Sequence, residues 1–347
     1  MSWVAKYRKK GAAFSRSINA SALNTGCQGS MHDAFIETTS RIKRLGADHV
    51  GVTDYPFVVD ATAATPVLDV ANQQTSESEL AFIASTAKGA GLDVWLHINI
   101  PGVDKKGVDL PTKPSQQWYT AFLDSYTQYI VHEAQVAQKY GVKGMMLNWR
   151  DYWFDLTNYL DVYVAKMTAA LSQVRAVFDG KVFFDDVLPG GADPNKVAPL
   201  YNGADVILVD SIAGYLTPDE SQHLTVALMK QKYKKLLAQT AQKLSPFENR
   251  PLAMIGYIES NLSSLVTGTV SDVWGCSGTL QTDFSVQAIG YEALFEAIAE
   301  SGLNFLAFDT YGYWPTDVIL PSDTCPNIGR TVRNKPAEAI IQRWFAK

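Results

Sequence analysis

The chain has 347 residues, 47% hydrophobic and 19% charged, which is the make-up of an ordinary soluble globular protein and gives no sign of disorder. A formal net charge of −5 with dispersed basic residues offers no footprint for a phosphate backbone, so nucleic acid is excluded as an expected partner. No apolar stretch approaches the roughly 20 residues that cross a bilayer, so no membrane partner is expected.

One unit recurs along the chain: a short β-rich run ending in polar residues, then an amphipathic helical stretch, often closed by glycine. Gly11 to Asn19 reads as the first strand and Met31 to Leu45 as its helix. Ala47 to Tyr55, with Val50, Val52 and the terminal Asp54-Tyr55, is strand two, followed by a helix from Ser76 to Ala90. Strand three, Leu92 to Asn99, carries His97 near its end and precedes a long helix from Gln116 to Tyr140. Strand four begins at Gly144-Met145-Met146-Leu147 and breaks into Asn148-Trp149-Arg150-Asp151-Tyr152-Trp153, after which Tyr159 to Phe178 is helical. Lys181 to Asp186 is strand five, with a short helix near Lys196 to Tyr201. Asp205 to Asp210 is strand six, before a helix from about Glu220 to Leu244 in which Lys230, Lys232, Lys234 and Lys235 read as a solvated face. Pro251 to Glu259 is strand seven with Val286 to Ser301 as its helix, and Leu303 to Asp309 is strand eight with Pro336 to Phe345 closing the ring.

Eight strands alternating with eight helices predict an α/β fold, a single (β/α)8 TIM barrel filling residues 1–347 as one catalytic domain. A doubly wound open sheet is the alternative, but no Gly-x-Gly-x-x-Gly turn follows any strand. The loops Phe57 to Thr75 and Asn261 to Asp283 stand out by length, and long loops at the catalytic face usually build subsites or lids.

Familiar chemical signatures are missing: there is no Gly-x-Ser-x-Gly elbow and no Walker loop, and Pro189-Gly190-Gly191 reads as a turn. His132-Glu133 opens like a zinc-protease helix, but Val136 stands where the second ligand belongs, so no metal and no cofactor are expected. What the chain does carry is a set of carboxylates at strand ends: Asp54, Asp151, Asp185 or Asp186, Asp210, Glu259 and Asp309. Polar groups there point into the barrel mouth. Hydrolysis of a glycosidic bond needs two of them, one to protonate the leaving oxygen and one to attack carbon or activate water. Each acid taken singly has a plainer reading, since a strand-end aspartate often caps the next helix or accepts loop amides. Around them stand aromatic side chains suited to a sugar ring, namely Trp95, Trp149, Trp153, Trp274, Tyr311, Tyr313 and Trp314, with packing as the plainer reading of each.

Three segments resemble glycoside hydrolase family 113: Trp118-Tyr119-Thr120-Ala121-Phe122 through Gly141-Val142, then Asp283 through Phe295, then Lys335-Pro336-Ala337-Glu338 with Arg343-Trp344-Phe345. The resemblance runs from strand three to the C-terminus and implies a clan A barrel of the kind found in retaining β-mannanases. It also implies an acid/base glutamate at the end of strand four and a nucleophile glutamate at the end of strand seven. Aligned by Gly141-Val142 the first falls on Arg150, and aligned by Pro251 the second falls on Gly256. Asp151 and Glu259 lie one and three positions further along, so the scaffold and sugar binding are expected to carry over and β-mannanase activity is not. Strand four ending at Asp151 also resembles the clan D α-galactosidase-type barrels, which implies Asp151 as nucleophile and Asp210 as acid/base.

The expected function is therefore a glycoside hydrolase acting on a polysaccharide or oligosaccharide. Asp151 is assigned as nucleophile or base and Glu259 as acid, in apolar surroundings with Tyr257 and Trp274, with Asp210 and Asp186 in reserve. Substrate contacts are assigned to His97, Asn148, Trp149, Arg150, Trp153, Tyr257, Trp274, Asp309, Tyr311 and Trp314. The fork of Arg150 suits a carboxylate or an anionic substituent on the sugar, for which Arg16 and His97 would be further contacts, and a structural ion pair is the other reading. The partner is a carbohydrate and the protein a monomer. An extracellular or periplasmic home is expected, with a leader absent from a sequence that starts Met1-Ser2-Trp3-Val4-Ala5, and a Cys276–Cys325 disulfide would favour it. The competing function is a carbohydrate-binding barrel without catalysis; a barrel lyase or isomerase on phosphorylated metabolites would need a glycine-rich phosphate site, which the sequence lacks.

Overall fold

A computed structural model of the chain describes residues 15–19, 28–54, 56–70, 75–99, 104–148, 156–185, 193–210, 216–247, 249–267, 282–313 and 329–346. The chain first forms β1 (Ser15–Asn19), α1 (Gln28–Arg44), β2 (His49–Asp54), the short strands β3 (Phe57–Val58) and β4 (Leu68–Asp69), and α2 (Glu77–Gly89). There follow β5 (Asp93–Asn99), α3 (Gln116–Tyr140), β6 (Gly144–Asn148), α4 (Leu156–Val177), β7 (Lys181–Asp185), α5 (Pro194–Gly203) and β8 (Val206–Asp210). The last part comprises α6 (Pro218–Ser221), α7 (Val226–Lys243), β9 (Leu252–Gly256), α8 (Leu262–Thr267), α9 (Phe284–Ser301), β10 (Phe305–Tyr311) and α10 (Pro336–Phe345). Eight strands close a barrel in the order β1-β10-β9-β8-β7-β6-β5-β2, while β3 and β4 form a separate antiparallel hairpin. Parallel neighbours can only be joined by crossovers, and helices supply them here. The (β/α)8 barrel is the fold, and the open doubly wound sheet is excluded.

Contacts group the chain into two compact units, one of residues 52–88 and 93–208, the other of residues 1–51, 89–92 and 209–347. In the first unit, Ser115 caps α3 by accepting the Trp118 amide at 3.2 Å. Gly141, at φ 72°, ends the helix by donating to the carbonyls of Ala137 and Gln138. The buried face of α3 is aromatic: Trp118 stacks on Phe122 at 5.3 Å, Phe122 on Tyr126 at 6.2 Å, and Tyr119 meets Tyr159 at 5.1 Å. Trp95 and Phe183 pack at 4.7 Å over Gly144, where a Cβ would come within 2.7 Å of Trp95 Cδ1. Trp95 is thus buried packing and no sugar platform.

The described part of the loop after β2 is held by hydrogen bonds. Asp104 accepts the amides of Ala61, Lys106 and Val108 at 3.0, 2.8 and 2.9 Å, and Trp118 donates to the Ala61 carbonyl at 3.2 Å. Leu68 N adds a bond to Ser125 Oγ at 2.8 Å. Backbone donors from Ala61 and Val108 hold the Asp104 carboxyl below its ordinary range.

In the second unit, Asp283 caps α9 by accepting the Ser285 amide at 2.9 Å, and Phe295 packs on Phe308 at 4.5 Å and on Trp344 at 5.5 Å. Two expectations are corrected here. The single helix expected from Glu220 to Leu244 is two, because Thr225 caps a fresh start by accepting the Leu228 amide at 3.2 Å after α6 has ended at Ser221. Strand seven, expected to reach Glu259, stops at Gly256 and leaves Tyr257 to Asn261 as a tail.

Candidate active site

The tail after β9 holds the candidate carboxylate. Its course is set by Gln287 of α9, whose Nε2 donates to the carbonyls of Ile258 at 2.8 Å, Arg330 at 3.0 Å and Thr331 at 3.3 Å. One buried amide thereby ties the tail to the segment 329–335, which runs between β10 and α10. Lys335 of that segment reaches Ser260 Oγ at 2.9 Å and the Gly329 carbonyl at 3.0 Å. The segment passes close to β10 because residue 312 is glycine: at φ 106° its absent Cβ would stand 3.0 Å from the Arg330 carbonyl carbon.

Within this frame Glu259 is buried, at 2% exposure. Arg330 Nε lies 3.4 Å from its Oε1, and Asn261 Nδ2 donates to Oε2 at 2.8 Å. The Arg330 guanidinium lies 5.0 Å from the centre of the half-buried Tyr257 ring, a cation–π distance. Of the apolar surroundings expected from the sequence, Tyr257 lies beside the ion pair and Trp274 is outside the described residues. A cation and an amide meet its two oxygens.

Asp309 lies in β10, opposite Ser17 of β1 and Ile255 of β9, and is fully buried. Its neighbour Phe308 faces the helices, packing on Phe295 at 4.5 Å and Phe345 at 6.4 Å. Side chains alternate along a strand, so Asp309 faces the barrel interior. Tyr291 of α9 donates to the Gly256 carbonyl at 3.2 Å. Burial pushes its hydroxyl above the ordinary range, and it feels the charges of Asp309 and Arg330.

Gly256 is the position onto which the resemblance places a glutamate nucleophile. A Cβ there would meet Phe308 Cζ at 2.8 Å and Tyr291 Cε1 at 3.0 Å, so a side chain at 256 would be driven into the helix layer.

In the other unit, His97 lies in β5 on the same face as Trp95 and is 1% exposed. Asp54, at the end of β2, is a structural acid: it accepts the Thr75 amide at 2.8 Å and the hydroxyl of Tyr129. Burial and then the charges of Asp54 and Glu133 push the Tyr129 hydroxyl far up. Asp185 ends β7 and is buried, and its charge contributes to the raised position of the Tyr163 hydroxyl, after burial and the nearby tyrosines. Tyr313, expected as a sugar-stacking ring, is instead wholly buried, donates to Glu338 Oε1 at 2.5 Å, and has the guanidinium groups of Arg333 and Arg41 at 5.5 and 5.9 Å from its ring centre.

Asn148, Asp210 and Tyr311 end β6, β8 and β10, and their backbones alone are described. Asp151, Asp186, Trp149, Arg150, Trp153, Trp274 and Trp314, with Cys276 and Cys325, lie outside the described residues. Sequence reasoning missed Arg330, Asn261 and Gln287. Asn261 sits two residues from Glu259 and is the one a local reading could have found; Arg330 and Gln287 arrive from distant segments with no motif around them.

No protein-family model and no curated protein matches the sequence. Solved structures similar to it include a GH113 β-1,4-mannanase, with a TM-score of 0.67 and 16% identity over 96% of this chain and 98% of that one. The GH113 β-mannanase AaManA from Alicyclobacillus acidocaldarius gives a TM-score of 0.67 and 16% identity over 96% and 97% of the two chains. A family 5 mannosidase from Rhizomucor miehei gives 0.58 and 9% over 94% and 92%. At such identities the likeness speaks to architecture, and the architecture it shows is the (β/α)8 barrel of the family 113 and family 5 glycoside hydrolases.

Proposed function

We propose that this chain is a glycoside hydrolase acting on a polysaccharide or oligosaccharide, with Glu259 as the carboxylate that attacks carbon or activates water and Asp151 as the acid. The observation that carries the reading is the held carboxylate: a buried glutamate just past β9, met on one oxygen by Arg330 and on the other by Asn261, in a fold shared with mannanases. A glycosidase needs one carboxyl group that arrives with a proton and one that acts as the anion. A cation at one oxygen and an amide donor at the other are contacts that suit the group acting as the anion, so this proposal exchanges the roles assigned from sequence alone. Asp151 then takes the acid role, at the end of strand four where the resemblance implies an acid/base group, with Asp186 and Asp210 as its alternates. Tyr257, beside the ion pair, and Asp309, on the interior face of β10, are the nearest candidates for contacts to the sugar. His97, Asn148, Trp149, Arg150, Trp153, Trp274, Tyr311 and Trp314 complete the proposed binding groups.

The test is the release of new reducing ends from a panel of α- and β-linked polysaccharides, β-mannans included. Glu259→Gln and Asp151→Asn are each expected to lower kcat by about 10³-fold or more, the scale for loss of a reacting group, with circular dichroism unchanged. A second reading, a carbohydrate-binding barrel without catalysis, is favoured by one observation: position 256 has no room for the glutamate that the resemblance implies. Binding to the panel without cleavage would select it.

A further inference from the structure

Resting on the reading of Glu259 as the anionic reacting group, we propose that Arg330 is a positioning residue that fixes the direction in which the Glu259 carboxylate faces its substrate. The argument begins with the carboxylate itself. Its two oxygens face separate partners, the Arg330 guanidinium in an ion pair with Nε 3.4 Å from Oε1 and the Asn261 Nδ2 donor 2.8 Å from Oε2, and contacts at both oxygens restrict the plane of the group as well as its place. A nucleophile or base held in one plane has already lost the freedom that a reaction would otherwise remove.

Arg330 is in turn held by three features. Its guanidinium lies 5.0 Å from the centre of the Tyr257 ring, its side chain is 9% exposed, and its carbonyl accepts from Gln287. The same Gln287 amide bonds the Ile258 carbonyl, so the backbones that carry Glu259 and Arg330 share one anchor. Gly312 lets the segment 329–335 approach β10, with Val332 N bonding the Gly312 carbonyl at 3.3 Å. The other cations of the segment are engaged away from Glu259: Arg333 donates to Thr38 at 3.0 Å and Glu37 at 2.7 Å, and Lys335 to Ser260 and Gly329. A pair that only held the fold would change stability on mutation and leave turnover in the folded protein unaltered. A positioning pair loses turnover.

The experiment compares Arg330→Gln, Arg330→Lys, Glu259→Gln and the double variant Arg330→Gln/Glu259→Gln on the best substrate from the panel. Arg330→Gln is expected to lower kcat by about 10²-fold with KM within about threefold, as for an interaction made in the transition state. Arg330→Lys keeps the charge and is expected to recover about tenfold of that loss; it also serves as the readout should the glutamine variant fail to fold. Because Arg330 acts through Glu259, the double variant is expected to be no slower than Glu259→Gln. Turnover in Arg330→Gln within about threefold of wild type would overturn the proposal, as would a rise in KM with kcat kept, or a double variant slower by the full Arg330→Gln factor. Full activity in Glu259→Gln would instead bring down the function reading beneath it. An inactive Glu259→Gln beside an active Arg330→Gln would bring down the positioning role alone.

Discussion

Asp54, at the end of β2, and Glu259, three residues beyond β9, are both buried acids, and the partners described for them differ in kind. Among the partners described for Asp54 are the Thr75 amide and the hydroxyl of Tyr129 in α3, both neutral donors. Glu259 is met by a guanidinium and a side-chain amide on separate segments. Neutral backbone and phenol donors bind an aspartate into the scaffold; a charged partner brought from a distant loop is a more elaborate arrangement than stability requires. The same strand-end signature thus covers a structural acid in one unit and a candidate reacting group in the other.

Exchange of the two acids for inert side chains breaks or sharpens that contrast. The largest effect on turnover is expected from Glu259→Gln: a loss of about 10³ in kcat, equivalent to about 4 kcal/mol at 1.36 kcal/mol per tenfold, in a protein that still folds although its urea midpoint falls because Arg330 loses its counter-charge. Asp54→Ala is expected to spare turnover. Two buried donors lose their acceptor, at about 1–3 kcal/mol each, so the urea midpoint falls while kcat stays within about threefold. If Asp54→Ala stopped turnover in a protein of unchanged stability, the two acids would not differ as argued.

A smaller effect is expected at the site where the family pattern and this chain part. Gly256→Ala places a methyl against Phe308 and Tyr291, and overpacking of this kind costs about 1–3 kcal/mol, read as a lowered Tm. A variant as stable as wild type would mean that the helix layer yields there.

The smallest effect concerns the loop after β2. Backbone donors hold the Asp104 carboxyl below its ordinary range, so its contribution is present above that range and is lost as pH falls through the depressed value. Hydrogen exchange at the amides of Ala61 and Val108, corrected for intrinsic rate, is expected to lose protection only at that acid end. Asp104→Asn should remove the pH dependence, and a dependence that survived would assign it to another group.

The periodicities that survive in sequence are those with a repeat of their own. α3 and α10 run over the residues expected, Gln116–Tyr140 and Pro336–Phe345: both are amphipathic, Ser115 and Gly141 cap α3, and Pro336 stands at the start of α10. β5 to β8 fall within a residue or two of expectation for the same reason. The end of β9 was not legible, since Tyr257-Ile258 continues the apolar run of Leu252–Gly256, and the bonds that hold the tail come from distant residues, Gln287 and Lys335. The hairpin of β3 and β4 was missed because strands of two residues carry no period. Glu259 could be named as a candidate from its place after strand seven. Its partner could not, because nothing in the stretch Gly329-Arg330-Thr331 indicates which distant acid it will meet.

Gln287 gives one last consequence. Its amide nitrogen carries two protons and faces three carbonyls, so at least one proton is shared in a three-centre bond. Insertions or deletions in 257–261 or in 329–335 would pull that nitrogen off one acceptor or another. A change of length in either stretch therefore has to be absorbed by the other, with Gln287 of α9 as the point that joins them.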